Sequence, residues 1–356
     1  MIDFRYHLVS IVAVFLALAI GIVLGSTELQ GNTIDVLRTS SNSLKNQLDQ
    51  SNAERGVAQQ LYNSDQAFLA TAAPRLLANE LPGDRIVIIT EPGASSTVIS
   101  GLQQAATQAG ARVTGQVTIE PKFNDLSGGN ESTLSQLNSS LASTDGTILA
   151  TPSNQQTFYQ QQAAQLIGTA ILSTSTANET AGLSTADAST LLGAYAQAGY
   201  ITITPAVTDR ATLAVIVTPA TVPADGQNDP ATQVLLAIAQ EFAGASAATV
   251  VAGSQTASST AGSAIAVVRA SSVASLVSTV DNADSVIGAV STMWAFAQQL
   301  RGAKPNSYGI SGASAVSPVP LPVPSPSATP TVSPTQPHAT KTARGKGKGD
   351  TSVKKK

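Results

Sequence analysis

The sequence predicts an α/β protein carried on a membrane helix. An N-terminal transmembrane helix and a long coiled-coil-like helix precede a mostly parallel sheet flanked by helices, and a disordered tail closes the chain. Three observations predict this. Residues 7–26, "HLVSIVAVFLALAIGIVLGS", are almost wholly apolar. From Arg85 onward, short β-branched runs alternate with helical stretches. From Ser311 the composition turns to proline and then to lysine.

The apolar run comes first. From Leu8 to Leu24 only Ser10 and Gly21 interrupt it, and no charge lies between Arg5 and Glu28. A helix rises about 1.5 Å per residue and a bilayer core needs roughly 17–25 apolar residues, so the segment can span. Leu8, Val14, Leu18 and Leu24 mark the span. The competing reading is a cleavable signal, with Val23-Leu24-Gly25 as its site. Such signals have a shorter apolar core and a more basic start than Arg5 set against Asp3. An uncleaved anchor over residues 1–30 is therefore expected. Arg5 and the amino terminus precede the span and Glu28 follows it, which puts the body outside the cytoplasm, in the cell envelope. Ala17, Gly21 and Gly25 recur at four-residue spacing on one helix face. Small residues so placed let two membrane helices approach closely, although glycine and alanine are common in any membrane helix.

Residues 31–80 form the second segment. Ile34, Leu37, Leu44, Leu48, Ala58, Tyr62 and Leu69 fit a heptad, while Ser41, Ser51, Arg55 and Asp65 weaken the same seam. The stripe suits a homo-oligomer through the N-terminal helices, or packing on the body. Pro74 and "NELPGD" (79–84) are expected to end or bend the helix.

Residues 81–309 read as the α/β domain. "RIVIIT" (85–90), a helix through "TVISGLQQAATQAG" and "ARVTGQVTI" (111–119) make a βαβ unit, with Gly110 as a helix stop. "GTILATP" (146–152), "YITIT" (200–204), "LAVIVTP" (213–219), "ATVVAG" (248–253) and "LVSTVD" (276–281) are the further strands expected. Helices are expected at 154–172, 184–198, 229–243, near 257–270 and at 284–300. Ser184 is placed to cap the second of these, with Asp187 three residues on. Continuous apolar strands between helices imply a parallel sheet covered on both faces. Trp294 falls with Val290, Ala297 and Leu300 on a core-facing stripe.

Residues 310–356 form the tail. "VSPVPLPVPSPSATPTVSPTQPH" holds eight of the 18 prolines and reads as extended. Residues 341–356 carry seven basic residues against one acidic, a net +6. Residues 1–340 keep 12 basic and 21 acidic, a net −9. A solvated basic tail suits an envelope polyanion, or serves solubility alone, and no specific nucleic-acid partner is implied.

The chemistry is sparse. There is no cysteine, so no disulfide or thiolate metal site forms. His7 stands at the membrane edge and His338 in the tail, which excludes a Ser-His-Asp hydrolase in the body. "TEPGASS" (90–96) lacks a nucleotide fingerprint, and Glu91 would repel phosphate. Asp281 and Asp284 are better placed to cap the following helix than to bind metal. Met1, Met293 and the two histidines cannot form a copper cluster within one chain. Sequons stand at Asn130, Asn138 and Asn178. No catalytic residue, cofactor or metal ligand is assigned, and no enzyme is expected.

The opening "MIDFRYHLVSIVAVFLALAIGIVLGS", the heptad-like helix, "RIVIITEPGA", "TVDNAD" and "YG" at 308–309 together resemble the mycobacterial copper transport protein B family, over roughly residues 1–309. The resemblance implies an envelope-located, pore-forming protein of copper efflux and homeostasis. Relatives of that family include a cell-envelope protein linked to cell division. The residues themselves supply an anchor and an exported body, with neither a pore nor copper ligands. A structural or scaffolding envelope protein, acting through helix self-association and partner binding, is the other function they fit.

Overall fold

A computed structural model of the chain describes residues 4–149, 151, 154–174, 183–205, 207, 209–223 and 225–318; the side chains of 26–34 and 145 lie outside that description. The tail beyond 318, with its basic run and the polyanion contact expected of it, also lies outside it, as do Asn178 and residues 175–182.

The anchor and the heptad-bearing segment are one helix, α1 (Phe4–Leu77), of 74 residues. At about 1.5 Å per residue it is roughly 110 Å long. Pro74 is carried inside it, one turn before the end. Termination falls to the turn beyond, where Asn79 takes a positive φ of 61°.

Among the described residues the body forms one seven-stranded sheet. Its strands are β1 (Arg85–Thr90), β2 (Arg112–Ile119), β3 (Ile201–Ile203), β4 (Leu213–Val217), β5 (Ala248–Ala252), β6 (Ser278–Val280) and β7 (Ser307–Tyr308). The spatial order is β3-β2-β1-β4-β5-β6-β7. All neighbours run parallel except the edge strand β3, which is antiparallel to β2. The helices are α2 (Ser96–Ala109), α3 (Gly128–Asp145), α4 (Phe158–Ile171), α5 (Thr185–Gln197), α6 (Pro230–Ala245), α7 (Ala264–Ala270) and α8 (Val286–Leu300).

Side chains alternate across a strand, so "RIVIIT" feeds two cores. Ile86 and Ile88 join the core of one face, with Val98 and Leu102 of α2, Phe296 of α8, and Ala73 and Leu77 at the end of α1. Val87 and Ile89 join the other, with Leu134 of α3, Ile167 of α4, Leu192 of α5, Phe242 of α6 and Ile265 of α7. The sheet is thus covered on both faces, as continuous apolar strands require.

Local signals act as the sequence indicates at several points. Gly110 ends α2 in the left-handed conformation, φ 86°. The Ser184 side chain accepts from the Asp187 amide and donates to its carboxylate, capping α5. Other expectations need correction. Residues 147–149 form no strand and Ile148 is 89% exposed; Ala150, Pro152 and Ser153 lie outside the described residues. The places beside β1 are taken by β2 and β4, and residues 147–149 join no strand of the sheet. Helix α3 and strand β7 fill positions where no element was expected. The expected 257–270 helix begins only at Ala264, after a 3-10 turn at Gln255–Ser258 and a stretch of bends and turns.

Candidate functional site

The described residues offer three places with functional geometry: the exposed helix, its junction with the body, and the carboxyl edge of the sheet.

The predicted membrane residues all lie on α1. Phe4–Gly25 is a 22-residue stretch of mean hydropathy 2.9 with none of its surface buried. Leu8, Val14, Leu18 and Leu24 are exposed and, at about 100° per residue, spread around the helix. An all-round apolar helix suits lipid. Ala17, Gly21 and Gly25 keep to one stripe, and nothing lies within 4 Å of a side chain built at Gly21 or Gly25. Farther along, Leu37, Leu44, Leu48 and Tyr62 are exposed, while Leu69 is half-buried. The seam therefore splits. Its last turns, down to Ala73 and Leu77, belong to the core, and its upper turns stand free. Val57, Leu61 and Phe68 form a second exposed stripe, roughly 160° around the helix from Leu77. Their four- and seven-residue spacing was visible in the sequence.

The junction is specific. The Gln66 side chain accepts from the Val286 amide at 2.8 Å, at the start of α8. Trp294 Nε1 donates to the Leu76 carbonyl at 3.2 Å, and Arg301 pairs with Glu80 at 3.2 Å. Trp294 thus stands half-buried where α8 meets α1, packed against the core.

At the sheet's carboxyl edge, Asp281 is neither a helix cap nor a solvated carboxylate. The cap of α8 is Ser285, whose hydroxyl accepts from the Gly288 amide. Asp281 is fully buried and paired with Arg269 at 2.9 Å. It also accepts from Ser258 Oγ and from the amides of Ile310 and Ser311. Arg269 donates in turn to Thr279 Oγ1 and to the Tyr308 and Ser311 carbonyls. Gly309 has φ 131°, and a Cβ there would stand 1.8 Å from Asp281 Oδ1. "TVDNAD" and "YG", far apart in sequence, meet in this clasp. Contacts continue beyond it: Ala315 bridges Tyr308, and Ser291 donates to Ser317 Oγ.

Glu91 is the other buried carboxylate. It follows β1, is 3% exposed, and its Oε1 has no hydrogen-bond partner. Burial pushes its pKa up from 4.5 to about 8. The sequence placed this residue on an ordinary turn and gave no sign of its burial.

Two of the sequons are structural. Asn138 is fully buried, donating to the Tyr159 carbonyl and accepting from Tyr195 OH. Asn130 donates to the Lys122 and Asp125 carbonyls and accepts from Tyr200 OH. Met293 is fully buried in the core. Among the described residues no group of three His, Cys, Asp or Glu could hold a metal ion.

A long apolar helix, continuous with a stalk whose last turns pack on one face of a mostly parallel, helix-covered sheet, fits a membrane anchor joined to an α/β body. The chain belongs to the family described as copper transport outer membrane protein, MctB, which matches residues 1–320. The copper transporter MctB of Mycobacterium tuberculosis (strain H37Rv) is 30% identical over 321 residues, covering 89% of this chain and 98% of that protein. Its counterpart in Mycobacterium bovis aligns with the same values. The Mycobacterium leprae protein of that name is 30% identical over 324 residues, 89% of this chain and 99% of its own.

Proposed function

We propose that this chain is an envelope protein of copper homeostasis, anchored by α1 with its body outside the cytoplasm, that acts through assembly rather than by liganding copper in the body. Family membership carries the copper reading. The donor set supports the second half: the chain has no cysteine, Met293 is sealed in the core, and His7 lies on the span. Soft copper(I) needs thiolate or thioether ligands, and copper(II) favours imidazole.

The described sheet is open, with β3 and β7 at its edges, and both its faces are covered by helices. A membrane barrel needs a closed sheet with lipid on its outside. Any pore would therefore be built from the spans of several copies, meeting at Ala17, Gly21 and Gly25. The exposed Leu37, Leu44 and Leu48 support self-association of the stalk. The same surfaces favour the scaffolding reading, in which the stalk assembles and the body holds a partner.

A deletion strain separates the two. Restoration of normal copper content and tolerance by the full chain, and failure by a chain carrying Gly21→Leu and Gly25→Leu, supports transport through an assembled span. Unchanged copper content and tolerance in the deletion strain overturns the copper reading.

A further inference from the structure

In a doubly wound sheet, ligands sit outside the carboxyl ends of the strands, where the chain's progress across the sheet reverses. Here the chain goes from β1 to β2 on one side and later to β4 on the other. The reversal falls between β1 and β4, one strand away from β2, and Glu91, the first residue beyond β1, borders that gap. Its amide donates to the Val217 carbonyl at the end of β4. Glu91 also lines a cavity of about 400 Å³ over the ends of β1 and β2, with Thr90, Ile99, Gln116, Thr118 and Glu120.

Inside proteins a buried carboxyl group normally finds a hydrogen-bond partner, because leaving it bare costs free energy. Three polar neighbours of Glu91 are engaged with other groups. Thr90 Oγ1 donates to Thr118 Oγ1, and Glu120 accepts from Thr202 Oγ1 at 2.6 Å. Glu91 and Glu120 are the ionisable residues of the lining, which includes neither lysine nor arginine; Lys122, just beyond it, donates to the Ala198 carbonyl. The charge of Glu120, joined by that of Glu91 where it is ionised, repels phosphate and carboxylate ligands. Two carboxylates without histidine or cysteine also fall short of a metal site, which needs more donors.

We propose that this cavity binds a primary ammonium group on a short flexible stem, as carried by a free diamine or a lysine side chain, with Glu91 as the carboxylate that receives it. Glu91 Oε1 is shielded from solvent in the empty site, so the side chain must turn toward the cavity to meet the ammonium, which then supplies the donors that oxygen lacks. Glu120, already held by Thr202, serves as the second acceptor at the mouth. Binding selects the ionised form of Glu91, so it releases a proton wherever the empty site is protonated. Apparent affinity therefore rises with pH and levels off above about 8. With that midpoint, the gain between pH 6 and pH 8 is about fifty-fold.

The test is calorimetric titration of the full chain in detergent micelles with 1,4-diaminobutane and, separately, with Nα-acetyl-lysinamide. Each is run at pH 6 and pH 8, in buffers of different ionisation enthalpy. The expected result is saturable binding of at least one probe, tighter at pH 8, with close to one proton released at pH 6. Glu91→Gln should lower affinity at pH 8 at least tenfold, and Glu120→Gln less than threefold. The diamine binding alone identifies a free amine as the ligand; the lysine derivative binding alone identifies a lysyl chain. Binding of neither probe overturns the proposal. So does binding that is independent of pH or releases no proton from the unmodified chain, which stands even if a variant misfolds.

Discussion

Replacing Leu77 with alanine tests whether the stalk ends inside the body. Leu77 is fully buried, in one core with Ile86, Ile88, Leu102 and Phe296. The change removes three carbons from that core. At about 0.8 kcal/mol per buried methylene, the transfer loss alone is roughly 2.4 kcal/mol. The cavity left between α1, α2 and the sheet raises the cost to about 3–4 kcal/mol, within the usual range for buried leucines. For a body of this size each kcal/mol lowers Tm by roughly 2–4 °C, so a fall of about 6–16 °C is expected. The assay is thermal unfolding followed by the fluorescence of the single tryptophan. Trp294 suits it, because its Nε1 donates to the carbonyl of Leu76, next to the altered residue. Leu48→Ala is the control, since Leu48 is 61% exposed on the free stalk, and should move Tm by no more than about 2 °C. If Leu77→Ala behaves like Leu48→Ala, the end of α1 is a loose linker and the two-sided core described above is wrong.

Asp281→Asn should destabilise the body by about 3–5 kcal/mol in denaturant titration, because it strands the buried Arg269 guanidinium without its counter-charge. A loss under about 1 kcal/mol would mean that Asp281 is not the anchor of the 308–311 segment. Glu91 predicts a pH effect of definite sign. Its folded pKa of about 8 exceeds 4.5, so between those values the folded state holds a proton that the unfolded chain has lost. Its contribution to stability therefore declines as pH rises from about 4.5 to 8. Glu91→Gln should be more stable than the parent at pH 8, by on the order of a few kcal/mol. The gap should close near pH 5, and a constant gap would contradict the burial of Glu91. Leu44→Asp with Leu48→Asp should abolish cross-linking between copies in the membrane while leaving Tm unchanged; undiminished cross-linking would move self-association to another face, such as Val57, Leu61 and Phe68.

What could be read from the sequence follows from how local each signal is. The apolar N-terminal helix, six of the seven expected strands and the Ser184 cap depend on neighbouring residues, and they stand where expected. Helix α3 was missed because Leu134, Leu137 and Leu141 are its few large apolar residues among Ser, Asn and Thr. Strand β7, two residues long, carries no pattern of its own and exists because β6 offers it an edge. The Asp281 clasp and the buried Glu91 are tertiary facts. "TVDNADS" looks like a capping sequence because Ser285, four residues after Asp281, does the capping. A carboxylate after a strand reads as solvated unless the sheet order that encloses it is known.

The absence of cysteine gives the most direct test of the central claim, that an uncleaved span holds the body beyond the cytoplasm. Ser43→Cys on the free stalk and Ser275→Cys on the body, both exposed, are introduced singly and treated with a membrane-impermeant maleimide. In intact cells both sites should be labelled, on a full-length polypeptide that stays with the membrane after an alkaline wash. Labelling only after lysis, or recovery of a washed-off chain lacking its first 25 or so residues, would contradict the account.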